Sequence, residues 1–155
     1  MKAVIPGSFD PFTLGHLDIV TRASRIFDQV VVAVGVNQSK QGLAPLDVRL
    51  EMVRQAVEGL ANVEVAVYEG LLVDFCRTQG ATVVVRGARS GADFEYEYAM
   101  AGMNSSLGNV DTVILPASPS VCFITSALVR SVDRAGGDAS AFLPANTVMS
   151  MKKEL

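Results

Sequence analysis

Tryptophan is absent from this chain, histidine occurs once, cysteine twice, and only 19% of the residues are charged. Each scarcity removes a class of function. Cys76 and Cys122 lie far apart and form no CxxC or Cys/His ligand spacing, so neither a metal site nor a dithiol redox motif is expected, and both thiols read as reduced and buried. Thirteen basic against 16 acidic side chains give a net charge of -3, without the broad basic surface that counterion release from nucleic acid requires. Any bound anion must be held by a few focused cations. No apolar run approaches the roughly 20 residues that span a bilayer, and the run Ala3-Val4-Ile5 is broken by Pro6 too early for a secretory signal. The expectation is a cytoplasmic protein with neither a membrane nor a nucleic-acid partner. GxxxxGK[ST], GxGxxG and HExxH are all missing, which removes the P-loop, the dinucleotide fingerprint and the zinc-protease motif.

What remains is a chain half of whose residues are apolar, enough for a single domain over residues 1–155 with a sizeable core. Ala3-Val4-Ile5, Gln29 to Val36, Val63 to Val67, Ala81 to Val85 and Asp111 to Leu115 read as strands. Helical spacing or capping marks Leu17 to Phe27, Asp47 to about Glu58, Leu71 to Thr78, a segment opened by Asp93-Phe94-Glu95-Tyr96-Glu97, and one from Thr125 or Ser126 through Ala135. A last amphipathic segment follows Pro144. Such alternation implies right-handed βαβ crossovers and an α/β, Rossmann-like, doubly wound parallel sheet of five strands in the order 3-2-1-4-5, with helices on both faces. In that order the first and fourth strands adjoin at the switch point. The loops that follow them, carrying Ser8 to His16 and Arg86 to Arg89, then face one crevice.

Thr13-Leu14-Gly15-His16 sets the sole histidine at a helix start. Free N–H groups and the helix dipole favour an anion there, and the same dipole disfavours a protonated imidazole, so a neutral donor is expected. Across the crevice, Arg86 and Arg89 flank Gly87 at a strand end. The TxGH tetrapeptide behind the loop Pro6-Gly7-Ser8-Phe9-Asp10-Pro11 resembles the signature of the nucleotidylyltransferase superfamily. With Arg86-Gly87-Ala88-Arg89, the acidic run Asp93 to Glu97, the loop lysine Lys40 and Phe123-Ile124-Thr125-Ser126-Ala127-Leu128-Val129-Arg130, the chain resembles the bacterial phosphopantetheine adenylyltransferase family.

That resemblance implies transfer of the adenylyl group of ATP to 4′-phosphopantetheine, with Mg2+ as cofactor, pyrophosphate and dephospho-coenzyme A as products, coenzyme A as a feedback ligand, and a homohexamer. It assigns His16, Lys40 and Arg89 to catalysis, with His16 as transition-state stabiliser. Ser8, Lys40, Leu72 and Arg86 would hold phosphopantetheine. ATP would meet Ser8, Phe9, His16, Gly87, Ala88, Arg89 and Glu97, and the run Val121, Cys122, Phe123, Ile124, Thr125, Ser126 and Ala127; no protein metal ligand is implied. The sequence departs from the family where Thr125-Ser126-Ala127 stands for three serines and Val121 for an aromatic residue. A second reading stays open at this point: a nucleotide-binding module that senses ATP without turning it over.

Overall fold

The computed structural model describes residues 1–36 and 44–147. Strands β1 (Lys2–Gly7), β2 (Gln29–Gly35), β3 (Val63–Tyr68), β4 (Val83–Ala88) and β5 (Asp111–Pro116) alternate with helices α1 (Leu14–Ile26), α2 (Leu46–Val57), α3 (Leu72–Gln79), α4 (Gly91–Gly108) and α5 (Ser126–Arg134). All strand pairs are parallel, in the order β3-β2-β1-β4-β5. This is the doubly wound topology expected from the pattern.

Alternate residues of each strand face opposite sides of the sheet, and the core divides accordingly. Ala3, Ile5, Val30, Val32 and Val34 pack under Ile19, Val20 and Ala23 of α1 and Val53 and Val57 of α2. Val4, Val31, Ala33 and Val84 pack under Val73 and Cys76 of α3. Cys76 is buried as expected, whereas Cys122 is only half-buried, because it sits in the loop after β5. A smaller cluster of Ile124, Val129, Ala139 and Leu143 seats α5. No helix among the described residues is long and apolar enough to cross a membrane.

Several element ends differ from the pattern for local reasons. Helix α1 begins at Leu14 rather than Leu17, because Thr13 caps it: its hydroxyl accepts from His16 N, and the His16 side chain accepts from Thr13 N in return. Helix α2 starts one residue before Asp47, so that Asp47 lies in its first turn rather than at its cap. Strand β4 starts at Val83 rather than Ala81, since the N–H of Ala81 still bonds the α3 carbonyl of Cys76, and it continues to Ala88 beside β5. Helix α4 opens at Gly91 under a Ser90 cap, before the acidic run. The segment expected after Pro144 is described only as far as Thr147.

Pro6 shapes the crevice. It stands in the central strand β1, where it has no N–H to give to a ladder. Along β2 the register continues from Lys2 through Gly7, but towards β4 it stops after Ala3–Val83 and Val4–Val84. The sheet therefore opens between β1 and β4 at its C-terminal end. The carbonyl of Pro6 is taken instead by Arg86, whose Nη1 donates to it at 2.7 Å.

Candidate active site

A cleft of about 580 Å³ occupies that opening. Its floor is the β1–α1 loop and the end of β4; its rim is the start of α4 and the residues leading into α5. Ser8, Phe9 and His16 line one wall, Arg86, Gly87, Arg89 and Glu97 the second, and Val121, Ile124, Thr125 and Ser126 the third. Leu72, Ala88, Cys122, Phe123 and Ala127 do not line it. Leu72 packs beside Tyr68 and Phe75 against the core, and Phe123 points largely to solvent at 60% exposure. Lys40 lies outside the described residues.

His16 is held by Thr13 and by two aromatic rings, and the backbone contact from Thr13 fixes its tautomer. The backbone N–H of Thr13 donates to His16 Nδ1 at 3.0 Å. A peptide N–H can only donate, so Nδ1 is the acceptor and the proton of the neutral ring sits on Nε2. Phe9 meets the ring edge-on at 5.1 Å and Phe12 lies at 5.4 Å, which fixes its plane. Burial, then the charges of Arg86 and Arg89, push the His16 pKa down from 6.5 to about 4. Phe9 itself takes a left-handed backbone conformation, φ 49, an arrangement that costs a non-glycine residue of the order of 1 kcal/mol and is held here by packing. Its ring leaves no room at Gly7, where a Cβ would come within 2.8 Å of it.

The depressed value gives a direct expectation. Because the chain has one histidine, its ring resonances titrate without overlap, and an NMR titration should find a midpoint near 4 in place of 6.5. Between those values the folded state binds fewer protons than the unfolded one. The stability contributed by the neutral ring is complete above pH 6.5 and lost as pH falls through this window. Arg89→Gln should move the midpoint upward, since its charge is one of the three causes. A wild-type midpoint near 6.5 would contradict the half-buried, cation-faced setting.

The opposite wall is cationic but braced. Arg86 binds Glu97 through both fork positions, Nε to Oε2 at 2.9 Å and Nη2 to Oε1 at 2.8 Å. Glu97 thus reaches the cleft with its carboxylate already engaged. Arg89 Nε bonds Asp93 Oδ2 at 2.8 Å, and hydrogen bonding from Arg89 holds the Asp93 carboxyl below its usual range against burial, which opposes it.

The third wall is tied down by α1. Asp18 accepts from Ser118 Oγ at 2.8 Å and from Ser118 N at 3.2 Å, while Arg22 donates to Asp18 and to Pro116 O. These bonds outweigh the desolvation that opposes them and hold the Asp18 carboxyl below its usual range. At the start of α5 the Thr125 hydroxyl accepts from Leu128 N and the Ser126 hydroxyl donates to Pro11 O. The side-chain oxygens are structural here, which leaves the first-turn N–H groups as donors toward an anion.

Four charged lining residues carry no expected binding or catalytic role: Asp10, Asp93, Arg130 and Arg134. Arg130 donates to the Asp10 carbonyl and approaches its carboxylate at 3.7 Å. The i,i+4 spacing of Arg130 and Arg134 behind a capped helix start was a signal available in the sequence. Among the described residues no group of three or more His, Cys, Asp or Glu could hold a metal ion.

A parallel α/β sheet with an anion-receptive helix start, a neutral histidine donor and two arginines across the switch point defines a nucleotidyl-transferring enzyme. Residues 4–132 match the cytidylyltransferase-like family. Curated relatives include phosphopantetheine adenylyltransferases of Cutibacterium acnes, 49% identical over 93% of this chain and 92% of the relative, and of Methylococcus capsulatus, 46% identical over 99% and 96%. The chain belongs to the cytidylyltransferase-like family and, within it, to the phosphopantetheine adenylyltransferases. A solved Vibrio parahaemolyticus structure, assigned as a nicotinate-nucleotide adenylyltransferase, shares the fold with a TM-score of 0.73 at 18% identity, over 99% of this chain and 92% of that one.

Proposed function

We propose that this chain, acting as one nucleotidylyltransferase domain in the cytoplasm, moves the adenylyl group of MgATP onto 4′-phosphopantetheine in coenzyme A biosynthesis. A phosphate oxygen of the acceptor attacks the α-phosphorus, the bond from that phosphorus to the bridging oxygen breaks, and pyrophosphate departs with the electron pair. The acceptor is a phosphate monoester with a second pKa of about 6, already mostly dianionic at neutral pH. No general base is required. The work is to bring two anions together and to stabilise charge on the α-phosphate.

The observation that carries this reading is the neutral His16, its Nδ1 occupied by Thr13 N, within a cleft whose facing wall bears Arg86 and Arg89. His16 Nε2–H is the donor to the α-phosphate, Arg86 and Lys40 with Ser8 serve the acceptor phosphate, and Arg89 with the α5 start serves the nucleotide. Leu72, half-buried and outside the cleft lining, would meet only a pantetheine arm that extends beyond the cleft, and Glu97 acts through Arg86. Magnesium enters as part of the nucleotide substrate: Mg2+ keeps several waters and binds substrate phosphates, and with Asp93 and Glu97 engaged by arginine its remaining positions fall to water. Dephospho-coenzyme A and coenzyme A would occupy the same cleft. Tyr98 and Met103, exposed at 71% and 58% along α4, suit burial between subunits of a homohexamer.

The test is acceptor dependence. Purified protein with MgATP should release pyrophosphate only when 4′-phosphopantetheine is added. Release with nicotinate mononucleotide or glycerol 3-phosphate and none with phosphopantetheine would assign another acceptor.

A further inference from the structure

Arg49, on α2, is only 4% exposed and does not line the cleft. No carboxylate pairs with it among the described residues. A buried guanidinium in that setting must be satisfied by dipoles, and Arg49 is: Nε donates to Ala44 O at 3.0 Å, and Nη1 to Ser8 O at 2.7 Å and Gly35 O at 3.1 Å. These three carbonyls belong to the β1–α1 loop, the end of β2 and the approach to α2. Asp10 Oδ1 adds a fourth tie by accepting from Ala44 N at 3.0 Å.

We infer that Arg49 is a positioning residue for the acceptor side of the transfer. Its planar fork fixes the Ser8–Phe9 peptide; since C=O and N–H point in opposite directions across a trans peptide, holding Ser8 O against Arg49 turns Phe9 N–H the other way. That N–H has no acceptor among the described residues. Arg49 also fixes Gly35 and Ala44, between which Lys40 lies in the sequence. Its charge, which no carboxylate pairs among the described residues, sits behind a loop that must receive a dianion, and low-dielectric surroundings keep that charge felt. The nucleotide side is braced separately, by Asp18 on Ser118. The two braces share no residue.

This inference rests on the adenylyl transfer proposed above and divides the two substrates between two variants. Lysine offers a compact head in place of a fork and cannot span three carbonyls. In steady-state pyrophosphate release, Arg49→Lys should raise the KM for 4′-phosphopantetheine about tenfold or more, with a clearly smaller rise, about threefold, in the KM for MgATP, which also meets the Ser8–Phe9 peptide, and Asp18→Asn should raise chiefly the KM for MgATP. If Arg49→Lys does not fold, as judged by circular dichroism, Arg49→Gln carries the same readout. Equal effects on both KM values, or an unchanged acceptor KM in a folded variant, would overturn the inference while wild-type activity leaves the proposed reaction standing. A wild-type protein inactive with this pair would overturn both.

Discussion

His16→Ala should lower kcat by ~10²-fold or more while the protein stays folded, by comparison with the removal of one oxyanion donor in other enzymes. The donor meets charge that develops as the α-phosphate is transferred, so both KM values should change little. One complication is structural. His16 also closes the capping box with Thr13 and packs on Phe9 and Phe12, so alanine removes a cap interaction worth about 1 kcal/mol. His16→Gln separates the roles, because glutamine is an accepted partner at the same capping-box position but does not reproduce the imidazole Nε2–H. Recovered thermal stability with turnover still depressed supports the donor role. Turnover near wild type in either folded variant would remove it.

The sheet order was legible because its signal is redundant: near-continuous β-branched runs such as Val30 to Val34 mark strands covered on both faces, and parallel order follows from crossover rules. Ser8, His16, Arg86 and Arg89 could be brought together from that topology alone, and the cleft contains them. The partners of those residues were not legible. A cap at Thr125 or Ser126 was legible, and Thr125 makes it; that Arg86 would bind Glu97 and Pro6 O, or that the Ser126 hydroxyl would go to Pro11, depends on side-chain directions that no periodicity reports. Leu72 shows the same limit, since an apolar side chain at a helix start reads alike whether it faces a ligand or the core. The histidine tautomer became readable only once Thr13 N was seen to donate to it.

Arg86→Ala is expected to be the most destabilising change at the site. Glu97's side chain is 8% exposed and Arg86's is 32%, so removing the guanidinium leaves a nearly buried carboxylate without its partner. It also leaves the Pro6 carbonyl unpaired where the β1–β4 ladder has stopped. Breaking a buried pair from one side costs about 3–5 kcal/mol; the partial exposure of Arg86 puts this case near the lower end, a fall in Tm on the order of 10 °C for a chain of this size. Replacing both partners removes the stranded charge, and apolar substitutes of similar volume are often neutral or better. Arg86→Met with Glu97→Leu should therefore recover most of the stability by thermal denaturation. It should not recover pyrophosphate release, because the acceptor phosphate still lacks its cation. A double variant that regained turnover would reduce the pair to a scaffold, and an Arg86→Ala protein as stable as wild type would mean that the carboxylate finds water instead of being stranded.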